Sequence, residues 1–235
     1  MTVRRAIVAP GTLDATGELR LEDEPAHHVR DVLRLRAGDP ITLCDGAGAV
    51  AEATIARIDK KGVFCSVVNV VRVPREGPSI TLLQAVGKGD KMETVIRQAT
   101  ELGVTRIVPV STARTIAERE GKRDRWASIV ADALRVSGRA WAPEIEARLT
   151  LAEVLARPRA PLSLALDGVA AKRLQDVMRP GSAEALVGPE GGFTDEERAQ
   201  IEAAGFTRVT LGSATLRTET AGCAIVAILG YGLSS

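Results

Sequence analysis

The feature that most constrains this chain is a change of pattern across Pro74-Arg75-Glu76-Gly77-Pro78. Two prolines and a glycine within five residues interrupt regular structure and mark a linker. Before it, short β-type runs dominate; after it, strand-length apolar runs alternate with segments of helical period. At 235 residues the chain is long enough for one or two hydrophobic cores. The expected division is residues 1–72, a linker over 73–78, and residues 79–235.

In the first part, residues 3–8 read as a strand. Residues 41–44 and 50–58 read as a hairpin about Asp45-Gly46-Ala47-Gly48, and Lys60-Lys61-Gly62 turns the chain into a Val-rich strand over 63–73. Residues 26–35 carry Val29, Val32, Leu33 and Leu35 at spacings that suit a short amphipathic helix. These elements predict a compact β-barrel. In the second part, strands are expected over 80–86, 106–110, 162–166, 183–187 and 206–211. Helices are expected over 91–102, 122–139, 171–178, 195–204 and 218–231, the first stopped by Gly103. Alternating strands and helices predict an α/β domain with a largely parallel sheet.

Composition removes several classes of function. The chain has 31 Lys and Arg against 30 Asp and Glu, a net charge of +1. A uniformly basic coat for nucleic acid is excluded, whereas a local patch is not. Basic and acidic residues number 10 and 10 in residues 1–72, 13 and 10 in 73–150, and 8 and 10 in 151–235, so the only regional excess is central. Three Phe, two Trp and one Tyr are too few for a platform that stacks several bases. Cys44, Cys65 and Cys223 are odd in number and far apart, which excludes a disulfide framework and a paired-cysteine metal site. They read as small buried hydrophobes in a reducing compartment. No secretory leader is recognisable in the first residues, and the apolar run over 221–233 is shorter than the ~20 residues that span a bilayer. The cytoplasm is the expected location.

The chemistry is concentrated at three strand ends. Leu186-Val187-Gly188-Pro189-Glu190-Gly191-Gly192-Phe193 leads from a strand into a helix that Thr194 and Glu197 begin as a capping box. Three glycines in one turn let a ligand approach the backbone. Leu211 to Ala221, LGSATLRTETA, follows the next strand and enters the last helix. Arg217 there opposes the helix dipole, so its placement calls for a reason other than helix stability. Leu166-Asp167-Gly168 ends a third strand. Open α/β sheets bind ligands at the carboxyl ends of their strands. The spacings match neither a dinucleotide fingerprint nor a phosphate-binding loop, Gly87-Lys88-Gly89-Asp90-Lys91 included.

GPEGGFTDEE followed by LGSATLRTETA resembles the RsmE family of 16S ribosomal RNA uridine-N3 methyltransferases, within the SPOUT superfamily of knotted methyltransferases. HHVRDVLRLRAGD, KGDKMETVIRQATELGVTRIVPVSTART and RWASIVADALRVSGRAWAPEI extend the likeness, in order, over nearly the whole chain. The resemblance implies an N-terminal PUA-like β-barrel for RNA, a C-terminal α/β domain with a deep trefoil knot, S-adenosylmethionine as methyl donor, a homodimer, and the small ribosomal subunit as partner. It places the donor at Leu166, Asp167 and Gly168, at Val187, Gly188, Pro189, Glu190, Gly191 and Gly192, and at Leu211, Gly212, Leu216, Thr218, Thr220 and Ala221. Val136 and Thr115 depart from the family's usual Gln and Ser.

Loss of the N3 proton of uridine spreads negative charge onto O2 and O4, which a fixed cation stabilises. Arg217 is the candidate cation. Glu219 and Glu190 are candidates to orient Arg217, to bond the donor, or to accept the proton, with Glu219 the expected catalytic partner. Arg4, Arg5, Lys88, Lys91, Arg114 and Arg139 are candidates for RNA contacts. No set of side chains has metal-ligand spacing. The competing expectations are an RNA-binding protein of the same fold without activity, a related methyltransferase with another RNA target, and an enzyme for another nucleotide-like ligand.

Overall fold

The computed structural model describes residues 4–21, 23–60, 62–87, 89–115 and 123–233. It divides into two compact units, one of residues 1–76 with 131–142 and one of residues 77–130 with 143–235. The expected linker lies at the junction. The stretch 131–142 differs from the sequence-based division, because it belongs to the first unit. Its hydrogen bonds give the reason. Gly48 N–H donates to Ala140 O at 3.0 Å, Ala142 N–H donates to Gly46 O at 2.8 Å, and Trp141 Nε1 donates to Val73 O at 3.0 Å. The Trp141 ring also covers Gly48, where a Cβ would stand 2.4 Å from the ring.

The first unit is a five-stranded sheet of β1 (Arg5–Ile7), β2 (Gly17–Leu21), β3 (Pro40–Cys44), β4 (Ala49–Asp59) and β5 (Gly62–Arg72), in the order β1-β3-β4-β5-β2. The expected hairpin is β3–β4. Its turn is held by the Asp45 carboxylate, which accepts from the N–H groups of Ala47 at 2.8 Å and Ala49 at 2.9 Å. Two irregularities in the β4–β5 register bend the sheet around a core that includes Leu13, Leu21, Val29, Leu43 and Ile55. The expected helix over 26–35 begins earlier, as α1 (Asp23–His27), and continues as a π-helical turn over His28–Val32. Val29 and Leu35 reach the core, but Val32 is exposed, so the apolar stripe is narrower than its spacing implies.

The second unit contains β6 (Ile80–Ala85), α2 (Lys91–Leu102), β7 (Arg106–Ser111), the first half of α3 (Arg123–Ser137), β8 (Glu144–Ile145), β9 (Leu149–Thr150), α4 (Leu151–Leu155), β10 (Leu162–Leu166), β11 (Ala183–Val187), α5 (Asp195–Ala203), β12 (Thr207–Val209) and α6 (Thr218–Gly232). The strands pair parallel in the order β12-β10-β11-β6-β7-β8, with β9 also on β7. One face is covered by a cluster including Leu83, Val108, Leu186, Phe193, Ile201 and Phe206. On α2 and α6, which pack together, Val95, Ile96, Ile225, Val226 and Leu229 are buried. Gly103 closes α2 with a left-handed φ of 91°, the expected glycine stop. The helix expected over 171–178 is only a tight turn, Leu174–Asp176. Leu174 is its one fully buried side chain, too little to hold a longer helix on the sheet.

Candidate functional site

Strands β12, β10 and β11 are neighbours and run parallel, so the segments that follow them emerge side by side. They enclose a cavity of about 380 Å³, within the range usual for small-molecule sites. Thirteen expected residues line it: Leu166, Asp167 and Gly168 after β10; Val187, Gly188, Pro189, Glu190 and Gly192 after β11; and Leu211, Leu216, Arg217, Thr218 and Ala221 before and within α6. The walls are mainly apolar side chains and glycine backbone. At Gly168 nothing lies within 4 Å of where a Cβ would stand, so the backbone there faces open space.

Three expected donor-site residues, Gly191, Gly212 and Thr220, and the expected catalytic Glu219 lie outside the lining. Gly191 is turned toward Arg114, whose guanidinium donates to its carbonyl and whose Cδ stands 3.1 Å from where a Cβ would be. Gly212 is tied to Thr210, donating to its Oγ1 at 3.3 Å and accepting from it at 2.8 Å. Thr220 points out from α6 and is exposed. Glu219 stands beside the cavity, with Oε2 3.4 Å from Lys91 Nζ. Lys91, Phe193, Val209, Thr210, Ala214 and Thr215 also line the space. Most are unremarkable in sequence, because only the fold decides which apolar and hydroxyl side chains of a loop turn inward.

Lys91, expected on an RNA path, lies at the cavity with Nζ 2.8 Å from Glu190 Oε1. The hydrogen bond to Glu190, reinforced by Glu219, holds its pKa above the ordinary lysine value. Glu190 and Glu219 therefore engage Lys91, whereas orienting Arg217 was one of the three roles expected of them. Arg217 occupies the N-cap of α6, is exposed, lines the cavity, and has no ion-pair partner among the described residues.

Asp167 is also committed. Its Oδ2 accepts from Arg198 Nε and Arg208 Nη1, each at 2.8 Å, and its Oδ1 accepts from Val169 N–H at 3.2 Å. Burial pushes this carboxyl up, but the hydrogen bonds from Arg208 and Arg198 outweigh it, and its pKa lies below the ordinary value. Asp167 thus shapes the wall and offers the cavity little free acceptor capacity.

Sequence reasoning missed Gln84, a lone amide in the apolar strand ITLLQA. It is buried, and its Nε2 donates to Thr218 Oγ1 at 2.9 Å. Thr218 Oγ1 in turn donates to Gly188 O at 2.6 Å. The signal that could have found it is a polar side chain among buried strand residues, which requires a partner.

Of the other RNA-contact candidates, Lys88 lies outside the described residues, and Arg114 is bound to the Gly191 loop. Arg4, Arg5 and Arg139 all belong to the first unit. Arg4 pairs with Asp39 at 3.1 Å, and Arg5 Nη1 donates to Arg139 O at 3.4 Å. Arg5 thus reaches the backbone of Arg139. Among the described residues no group of three His, Cys, Asp or Glu side chains could hold a metal ion, and no helix is long and apolar enough to cross a membrane.

The profile of an RNA methyltransferase domain matches residues 75–230, and that of an RNA methyltransferase PUA domain matches residues 21–68. A protein from Mycobacterium tuberculosis called ribosomal RNA small subunit methyltransferase E is 32% identical over 232 residues, covering 93% of this chain and 88% of that protein. One of the same name from Synechocystis is 34% identical over 229 residues, covering 92% and 74%. The crystal structure of ribosomal RNA small subunit methyltransferase E from Neisseria gonorrhoeae, bound to S-adenosylmethionine, matches with a TM-score of 0.89 at 33% identity, covering 97% and 96%. A Legionella pneumophila methyltransferase in complex with the same cofactor matches with a TM-score of 0.90 at 33% identity, covering 97% of each chain.

Proposed function

The chain belongs to the family of RNA methyltransferases that includes ribosomal RNA small subunit methyltransferase E, and from that premise we propose that it transfers a methyl group from S-adenosylmethionine to N3 of a uridine in 16S ribosomal RNA of the small subunit. The cytoplasm is the compartment this reading implies. The observation that carries the mechanism is Arg217, an exposed cation without an ion-pair partner among the described residues, on the wall of a glycine-rich cavity.

The cavity fits the donor. Its volume of about 380 Å³, its apolar walls and the open space at Gly168 accommodate an adenosyl group against the backbone. Leu166, Gly168, Gly188, Leu211, Leu216 and Ala221 are the residues that would hold it. When bound, the donor supplies a methyl group on a cationic sulfur. Arg217 offers a planar fork of donors to the uracil oxygens and favours the N3 anion over the neutral base. Lys91 ties Glu190 on the loop after β11 to Glu219 on α6 and so fixes two walls of the site. Glu219 is the carboxylate we assign to accept the N3 proton. Arg4, Arg5 and Arg139 are the RNA contacts that the first unit supplies. The deep trefoil knot remains part of this reading.

The test compares wild type with Arg217→Ala on assembled small subunits. Methyl transfer should fall by roughly 10²–10³-fold, the usual cost of removing one group that stabilises a developing anion. Donor affinity by calorimetry should change little. Wild-type turnover by the variant refutes the role. Nucleoside mass spectrometry of the product places the methyl, and methylation of any atom other than uridine N3 refutes the substrate assignment.

The working form in this reading is a homodimer. Its support is the exposed Ile228 and Tyr231 on α6, beside a second hollow lined by Met178 and Leu211. Sedimentation equilibrium at micromolar concentration should return twice the chain mass, and a monomer there refutes it.

A further inference from the structure

Gln84 is 1% exposed, near the end of β6, a strand with parallel neighbours on both sides. An amide there is costly unless both its ends are satisfied. Only one end is. Nε2 donates to Thr218 Oγ1 at 2.9 Å and to Ala85 O at 3.3 Å, whereas Oε1 is buried and has no hydrogen-bond partner among the described residues. The crowding against α6 is equally specific. A Cβ on Gly222 would stand 2.2 Å from Gln84 Oε1, so this helix turn approaches the amide closely because it carries no side chain. An apolar residue of similar length would fill the same place without an orphaned acceptor.

We propose that Gln84 is a positioning residue for methyl transfer: by donating to Thr218 Oγ1, it commits the single Thr218 proton to the Gly188 carbonyl and so sets Arg217 against the donor loop. The proposal rests on the methyltransferase reading above. The chain runs Gln84 Nε2–H to Thr218 Oγ1, then Thr218 O–H to Gly188 O at 2.6 Å. Each bond polarises the next. Thr218 is the first residue of α6, and Arg217 precedes it as the N-cap without a side-chain capping bond of its own. The loop after β11, the start of α6 and the free cation therefore share one directional link. Lys91 supplies a second, ionic link between the same elements, but an ion pair does not fix the direction of a hydroxyl proton.

Gln84→Met and Gln84→Glu test this beside wild type, with thermal melts to confirm folding. Gln84→Met keeps length and apolar packing but cannot donate. Single-turnover transfer at saturating donor should fall about tenfold, the weight of roughly one net hydrogen bond. Ionised Glu at this position accepts from Thr218 and takes its proton from Gly188, whereas protonated Glu donates as Gln does. Burial raises a carboxyl pKa, so the deficit of Gln84→Glu relative to wild type should shrink as pH is lowered from about 8 to about 6. With the folded fraction at each pH taken from the melts, a role in packing alone would leave that ratio flat. Transfer by Gln84→Met at the wild-type rate, or a pH-independent ratio for Gln84→Glu, overturns the proposal. Absence of transfer by wild type overturns the methyltransferase reading itself, and the positioning role with it.

Discussion

Replacing Asp167 by Asn tests whether this carboxylate is a wall of the cavity or a ligand of its contents. Its side chain is 6% exposed, and its Oδ2 receives two guanidinium hydrogen bonds at 2.8 Å. An Asn keeps the shape but removes the charge and turns one donor toward the arginines. Breaking a buried pair costs up to about 3–5 kcal/mol. The low end applies here, because Arg198 keeps Asp195 at 2.7 Å and Arg208 keeps Glu202 at 2.6 Å. Two charge-assisted bonds at about 1.5 kcal/mol each give the same figure, about 3 kcal/mol. For a chain of this size that lowers Tm by roughly 6–12 °C. Circular dichroism melts of both proteins across a pH series provide the assay. The folded pKa of Asp167 is depressed, so its contribution is present above the ordinary carboxylate value near ~3.9 and lost as pH falls through the folded value. The gap between wild type and variant should be constant from about pH 7 to pH 5 and close below about pH 4. A Tm change under about 2 °C, or a gap that persists in acid, refutes the reasoning.

Gly222→Ala sets helix propensity against packing. Propensity alone stabilises by about 1 kcal/mol, but the new Cβ would stand 2.2 Å from Gln84 Oε1, and overpacking costs about 1–3 kcal/mol. A lower Tm is expected, and a higher one shows that the amide yields without cost. The thiols should be inert in the native state. Burial pushes Cys65 and Cys223 up to about 11, and Cys44 above its ordinary value. An aromatic disulfide reagent at about pH 8 should label the folded protein slowly and all three cysteines rapidly in denaturant. Fast labelling of the native form contradicts this.

Legibility in the sequence followed burial. The runs LSLAL and AEALV match β10 and β11 to the residue, because strands covered on both faces read as nearly continuous apolar segments. The start of α5 was legible from Thr194 and Glu197, whose reciprocal capping bonds are both present. Strand β2, GELRL, was not, since two leucines among charged residues carry little pattern. In the site, the loops that converge were readable from where their strands end. The inward or outward turn of Gly191 and Thr220, and the attachment of Glu190 and Glu219 to Lys91, were not. Those depend on partners up to 128 positions away in the chain, as from Lys91 to Glu219, and no local spacing encodes them.

The allegiance of residues 131–142 also gives the first unit a history in time. Its sheet ends in sequence at Arg72, but the residues that satisfy Gly46 and Gly48 and lay an indole over the hairpin turn follow some seventy positions later. During synthesis the hairpin turn of the amino-terminal sheet must therefore wait, uncovered, while the first two strands of the second sheet are made. The two units are sequential neighbours on paper. In the order of their assembly they are interleaved, and the amino-terminal unit closes only after the other has begun.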